Sequence, residues 1–416
     1  MPRRFIHAAD LHLDSPFQGV GSLRAGLDEL LRDASLVAWD ALIELCLAES
    51  AEFLVIAGDL FDSTNRTTRF EFRVREGARR LVERGVRVFV VHGNHDPLTA
   101  RSPLEGIEGV TVFGSDAPEA VTFDPDGRGP VTVHGISFGR AAVEDNLATR
   151  FVRGEAAGLH VGVLHCSVGE QVGHSNYAPC LVGDLTAVGL DYWALGHIHA
   201  HADVHQTPPI VYAGALQGRS PKPSDRGPHG AVVVEFEGDR VTSWRLSPID
   251  VIRFDAIDVP IDGLATEAAV EERLLAAADA VLADAGDAYV LLRARLTGSG
   301  PLHATVAADD FAAGLCEGLR EAAAARLIWE RIVSATRPEI DLDEVRGSAG
   351  FAGDLLRSFD ALEANPTLLA QQLEELEQAL PDRASARGLA EEEPVERLRR
   401  ARDLALAALF RHEGAQ

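Results

Sequence analysis

The sequence predicts an α/β (α+β) fold: mixed β-sheets flanked by helices, then a small α/β domain, then a helical tail. Three observations predict it. Short β-branched runs bounded by Gly, Pro, Asp or Asn recur through residues 1–250. Helical spacing separates the early runs, giving βαβ alternation before a succession of strands. From residue 251 the pattern becomes strand–helix–strand–helix–strand, and beyond Pro338 it is helical.

The elements follow in order. Strands are expected at Arg4–Ala9, Phe53–Gly58, Val86–His92, Val131–Phe138, His160–Cys166, Tyr192–Gly196, Ile210–Ala213, Ala231–Phe236 and Val241–Leu246. Helices are expected at Leu23–Ser50 and Arg69–Arg84, the first with Leu27, Leu30, Leu31, Leu42 and Leu45 on helical spacing. The second domain reads as strand Val251–Val259, helix Glu267–Ala285, strand Tyr289–Leu296, helix Asp309–Ala325 and strand Leu327–Val333. In the tail, Leu369, Leu373, Leu376 and Leu380 form one apolar stripe, and a last helix runs from Pro394 to Phe410. The expected domains are therefore 1–250, 251–338 and 339–416.

Composition narrows the function classes. The chain has 416 residues, 46% hydrophobic and 25% charged, which is ordinary for a globular protein. No apolar stretch is long enough to span a bilayer, and the N-terminus lacks a signal-peptide core, so a cytoplasmic protein with no membrane partner is expected. The cysteines Cys46, Cys166, Cys180 and Cys316 form no CxxC pair and read as buried free thiols. The net charge is −25. Residues 251–416 hold 17 Arg and 31 acids, a balance of −14, which leaves −11 for residues 1–250. A protein that binds nucleic acid unaided usually shows a basic excess. Lys222 is the sole lysine, so the remaining positive charge is arginine, which suits bidentate phosphate contacts.

Five motifs carry chemistry. Asp10-Leu11-His12 follows the first strand; residues two apart on an extended segment point the same way. Gly58-Asp59-Leu60-Phe61-Asp62 follows the second, and Gly58 permits a tight turn. Gly93-Asn94-His95-Asp96 follows the third. His165 ends the His160–Leu164 run, and Gly196-His197-Ile198-His199 follows Tyr192–Leu195. Each places donors at a strand end, where open α/β sheets build sites. Two carboxylates, four imidazoles and one amide suit Mn, Fe or Zn better than Mg or Ca. Two close cations need a shared carboxylate, and Asp59 is the natural bridge. The first four motifs alone read as ordinary turns, caps or a core histidine, and Gly196-His197-Ile198-His199 is moderately specific; the ordered set is what points to a metal site.

The ordered set resembles the calcineurin-like metallophosphoesterase superfamily. Phe5-Ile6-His7-Ala8-Ala9-Asp10-Leu11-His12-Leu13-Asp14-Ser15-Pro16-Phe17, Asp59-Leu60-Phe61-Asp62, Asp191–His199 and Tyr212–Arg219 are most similar to SbcD/YhaO-type DNA repair exonucleases. The resemblance is strong over residues 1–250. It implies a four-layer-type metallophosphoesterase sandwich holding two divalent metal ions, Mn2+ first, with Fe2+ or Zn2+ as alternatives. One metal would take Asp10, His12, Asp59 and His199; the other Asp59, Asn94, His165 and His197. The catalytic set would be His95, Asp62 and Asp96. His95 would face the phosphate, Asp96 would orient His95, and Asp62 sits where some relatives carry a histidine.

The expected function is a DNA exonuclease or endonuclease. The resemblance implies a coiled-coil SMC/ABC-type ATPase as partner for the leucine-striped helices, and a homodimer. A small-molecule or cyclic-nucleotide phosphodiesterase keeps the same site with another substrate. A non-catalytic scaffold for an ATPase is the third reading. His7 and His92 are expected as buried supports. His174, His201, His205 and His229 lie in loops that could line a cleft, and Arg219 and Lys222 are candidate phosphate contacts.

Overall fold

In the computed structural model the described residues are 2–18, 27–62, 67–99, 102–169, 176–308, 310–322, 325–379 and 394–410. Residues 23–26 of the first expected helix, Leu380 and His174 lie outside them. By backbone contacts the chain forms two compact units. The first comprises Met1–Ile257 with Ala278–Arg293 and Leu319–Arg331; the second comprises Asp258–Ala277, Ala294–Gly318 and Ile332–Gln416.

Two six-stranded mixed sheets dominate the first unit. One has the order β12 (Arg240–Pro248), β11 (Gly230–Glu237), β1 (Arg3–Ala8), β2 (Phe53–Ala57), β3 (Arg87–Val91) and β4 (Val110–Val112). The strands β1 to β4 run parallel, whereas β11 and β12 are antiparallel. The other has the order β5 (Glu119–Phe123), β6 (Val131–Gly135), β7 (Leu159–His165), β8 (Tyr192–Gly196), β10 (Pro209–Tyr212) and β9 (Ala202–Gln206). Its inner strands β6, β7, β8 and β10 are parallel, with β5 and β9 antiparallel at the edges.

The parallel strands read as continuous apolar runs because both faces are covered. All of Phe53–Ala57 is buried, as is all of Leu159–His165. Between the sheets Phe5, Phe53, Phe89, Val161, Val163 and Tyr192 share one core. The Phe5 and Phe53 rings stack at 4.6 Å, matching their pairing in the β1–β2 register. The outer face of the first sheet packs against α1 (Leu27–Ala48) and α2 (Thr68–Glu83). The helix α2 buries Phe70, Val74, Ala78 and Leu81, one face of a 3.6-residue period. The outer face of the second sheet packs against α3 (Val182–Val188). His7 ties the sheets together: its Nε2–H donates to Leu195 O and its Nδ1 accepts from the Tyr192 hydroxyl, both at 3.1 Å.

A third sheet has the order β13 (Ile252–Pro260), β14 (Tyr289–Thr297), β15 (Leu327–Ser334). Its helices are α4 (Glu267–Asp284), α5 (His303–Val306) and α6 (Phe311–Ala322). The tail contains α7 (Leu342–Gly347), α8 (Phe351–Glu363), α9 (Pro366–Ala379) and α10 (Pro394–Phe410). Of the expected leucine stripe, Leu369 is buried and Leu376 is exposed. Before the tail, five described strands and α-helices are absent from the expectation: β4, β5, β9, α3 and α5. All four cysteines are buried, and among the described residues none forms a disulfide. Among the described residues no helix is long and apolar enough to cross a membrane.

Candidate metal centre

The strand ends of the two sheets meet at one cleft. Asp10 and His12 follow β1, Asp59 follows β2, and Asn94 and His95 follow β3. His165 ends β7, and His197 and His199 follow β8. The chain turns so sharply here that four non-glycine residues adopt left-handed φ values: Asp10 at 49°, His12 at 43°, Asp59 at 51° and His197 at 103°. Such conformations are uncommon outside glycine and concentrate where the surroundings over-determine them. Gly58 is required twice over. Its φ is 96°, and a Cβ there would stand 2.3 Å from His165 Nδ1. At Gly93 a Cβ would stand 2.4 Å from Asp59 Oδ1.

Three groups of donors converge: Asp10–His12–His199, Asp10–Asp59–His165 and His12–Asp62–His95, with the atoms of each group within 4.8 Å of one another. Asn94 and His197 stand beside them. Asn94 Oδ1 is 2.9 Å from His165 Nε2, and the His197 ring centroid is 5.3 Å from that of His165. The His197 backbone N–H donates to both Asp10 carboxylate oxygens, at 3.1 and 2.9 Å.

This donor set fits cations. His165 Nδ1–H donates to Ala57 O at 3.0 Å, which leaves the Nε2 lone pair facing Asn94 Oδ1 and, at 3.4 Å, Asp59 Oδ2. Burial lowers the His165 pKa, so the ring is neutral and three acceptors confront one another. Both His12 nitrogens are buried without a hydrogen-bond partner, and burial holds that ring well below its ordinary pKa. Burial also raises Asp10 and Asp59, with the Asp96 charge adding to the rise at Asp59. Unpaired buried acceptors are costly, and a cation between them reverses each penalty.

A second network surrounds His95. Its Nδ1–H is held by Asp62 Oδ1, and Asp62 Oδ2 accepts from the Ser15 hydroxyl and, at 3.1 Å, from Arg219. The bond to Asp62 raises the His95 pKa. Burial opposes charge on Asp62, but His12 and His95 hold it well below the ordinary carboxylate range. Asp96 does not take the expected orienting position. It is buried and accepts from the backbone N–H groups of Leu60 at 3.0 Å, Phe61 at 3.3 Å and Gly93 at 3.1 Å. It pins the Asp59 turn to the Asn94 turn, and the neighbour of His95 is Asp62.

Comparison with known proteins places the stretch that carries these motifs in a family. The calcineurin-like phosphoesterase family matches residues 3–201, the stretch containing all seven donors. Residues 3–201 form a calcineurin-like phosphoesterase domain. A second match, to the metallophosphoesterase YhaO middle domain, covers residues 254–337. The uncharacterized metallophosphoesterase YhaO of Bacillus subtilis strain 168 is 35% identical over 256 residues, covering 59% of this chain and 63% of the relative. The DNA double-strand break repair protein Mre11 of Thermoplasma acidophilum is 29% identical over 228 residues, covering 52% of this chain and 56% of the relative. A subunit of the nuclease SbcCD of Bacillus subtilis is 30% identical over 136 residues, covering 32% of each. The matched stretches thus span less than two thirds of each of these relatives.

The cleft contains site residues that the motifs do not announce, several of them beyond the matched stretch. Asp225 Oδ1 accepts from His199 Nδ1 at 3.0 Å, and Asp225 Oδ2 accepts from the Ser220 hydroxyl at 2.7 Å. Burial opposes charge on His199, yet the Asp225 bond and the Asp10 charge hold its pKa above the ordinary value. A carboxylate behind a ligating imidazole fixes its tautomer and aims the other nitrogen at the metal. Tyr177 sets its ring 5.5 Å from that of His197. Arg219 and Lys222 do line the cleft, with Gln18, Tyr177 and Ser224. Of the histidines expected in loops, His201 and His229 bond backbone carbonyls, and His205 lies in β9 rather than a loop. His92 is a buried support, bonded to Asp96 O and the Ser102 hydroxyl at 2.9 Å each.

Proposed function

We propose that this protein is a two-metal phosphodiesterase that cleaves DNA. The observation that carries the reading is the convergence of the Asp10, His12, Asp59, His165 and His199 donor atoms, with both His12 nitrogens buried and unpartnered. Asp10, His12, Asp59 and His199 would hold one divalent ion, and Asp59, Asn94, His165 and His197 the other. The donor mixture favours Mn2+, with Fe2+ or Zn2+ next. Bound ions at such a centre supply Lewis acidity at the phosphoryl oxygens and a nucleophile from water at neutral pH.

The chain's own residues do the rest. Asp62 fixes His95 through Nδ1, which leaves Nε2 directed at the cleft. His95, held protonated by Asp62, donates that Nε2 proton to the departing sugar oxygen. Asp225 aims His199, and Asp96 keeps the Asp59 and Asn94 turns in register. Support for DNA as substrate comes from two of the relatives, a break-repair protein and a nuclease component. We further propose residues 1–250 as the nuclease domain, 251–338 as a cap domain, and 339–416 as the region that docks a coiled-coil SMC/ABC-type ATPase. We also assign a homodimer.

The test is cleavage of double- and single-stranded DNA with added Mn2+, comparing wild type with His95→Gln. The variant should lose activity by roughly a hundredfold or more while keeping its metal. Undiminished cleavage would remove His95 from the reaction. Hydrolysis of cyclic nucleotides with no DNA degradation would overturn DNA as the substrate.

A further inference from the structure

The cleft holds more than the metal centre needs. Its volume is about 380 Å³, within the ~300–1,000 Å³ range of ligand sites, so it has room beyond the reacting phosphate. One wall is a strap, Arg219–Asp225, anchored at several points. The Arg219 side chain is fixed to Asp62, and its carbonyl accepts from Gln18 N at 2.9 Å. At the far end, Asp225 is fixed to His199 and Ser220. Between the anchors, Arg226 Nε donates to Pro221 O at 2.9 Å.

Lys222 sits mid-strap between two prolines. Pro221 and Pro223 restrict the backbone on either side, and a residue before proline is held extended; Lys222 is at φ −64°, ψ 150°. Its ammonium has no salt bridge among the described residues, although the chain's net charge is −25. A chain that otherwise uses arginine throughout places its one lysine on a rigid loop beside the cleft. A lysine ammonium is a compact charge whose three donors can meet a phosphate from several directions.

We propose that the Arg219–Ser224 strap is a second anion site, which binds the phosphate next to the scissile one on a nucleic-acid strand through Lys222. The inference rests on the phosphodiesterase reading and sharpens its substrate to a diester that bears a further phosphate. Gln18 and Ser224, on the same wall, supply neutral donors to that phosphate.

The test uses full-length protein loaded with Mn2+ and two thymidine dinucleotides, one carrying an added terminal phosphate. KM, kcat and the Kd from competition with a fluorescent oligonucleotide are measured for each. Wild type should favour the phosphorylated form in both KM and Kd. Lys222→Ala should lose that preference by roughly tenfold, with kcat little changed, because one charge-assisted contact is worth about that much. Lys222→Arg should restore most of it, and Arg140→Ala, an exposed arginine that is not part of the cleft lining, should leave it intact. If wild type shows no preference, or Lys222→Ala retains it, the inference is overturned. If neither dinucleotide is hydrolysed but the Kd preference follows Lys222, the second anion site stands and the phosphodiesterase reading falls.

Discussion

The two large sheets meet at one cleft but bring different chemistry to it. The ends of β1, β2 and β3 deliver Asp10, His12, Asp59 and Asn94, which include both carboxylates of the proposed ligand set. The ends of β7 and β8 deliver His165, His197 and His199, all imidazoles. Both carboxylates thus come from one sheet, and the other contributes imidazoles alone. Two buried carboxylates on the first sheet, 1% exposed each, cannot both stay ionised without a cation. The imidazoles opposite are aimed by groups behind them: Ala57 O for His165 and Asp225 for His199. Charge comes from one side and direction from the other.

That contrast can be broken by experiment. Asp59→Asn removes the shared charge and should release both ions, with turnover falling about a thousandfold or more. His199→Gln removes one neutral donor and should empty one position only. Elemental analysis of the two variants decides it; equal metal retention would sink the distinction.

Gly58 tests the seam between the sheets. Gly58→Ala should destabilise the protein by roughly 3 kcal/mol, from a left-handed backbone plus a clash with His165. Gly85 is the control: its φ is 83°, yet a Cβ there meets nothing within 4 Å. Gly85→Ala should cost only about 1 kcal/mol. Urea midpoints measure both, and equal losses would show that the seam is not tightly packed.

An effect smaller than that of Gly58→Ala lies away from the seam. His160 Nε2–H donates to Ala156 O at 2.7 Å, so its Nδ1 accepts from His134 Nε2–H at 2.9 Å. Burial, with the neighbouring His160, lowers His134 from 6.5 to about 4. The unfolded chain therefore binds the extra proton between those values. Stability should rise with pH through that window and fall as acid is added, by on the order of 2 kcal/mol. His134→Gln should flatten the urea midpoint against pH over that range; an unchanged slope would exclude His134.

The placement of the donors was legible because it is local: each motif sits where an apolar strand stops, and both features lie within a few residues. The partnerships behind them were not. Asp62 and Asp96 both belong to metal-type motifs, and nothing in spacing says which will face His95. Asp225 reaches His199 through the folding of a Gly/Pro-rich loop that carries no helical or strand period. The missed strands have a similar cause. β4, β5 and β9 are short edges with half-exposed or exposed residues, so neither a continuous apolar run nor a clean alternation marks them. The tail misled in the opposite direction: Leu376 falls on a helical stripe yet is 55% exposed.

The four left-handed corners at Asp10, His12, Asp59 and His197 have a consequence for the size of the scaffold. Each forces a side-chain-bearing residue into a conformation that costs about 1–2 kcal/mol, so together they approach the whole net stability of an ordinary domain. A minimal protein could not host such a cluster and remain folded. Twelve strands closing over a shared aromatic interior are, on this view, the ballast that lets seven side chains be held where relaxed polypeptide would never leave them.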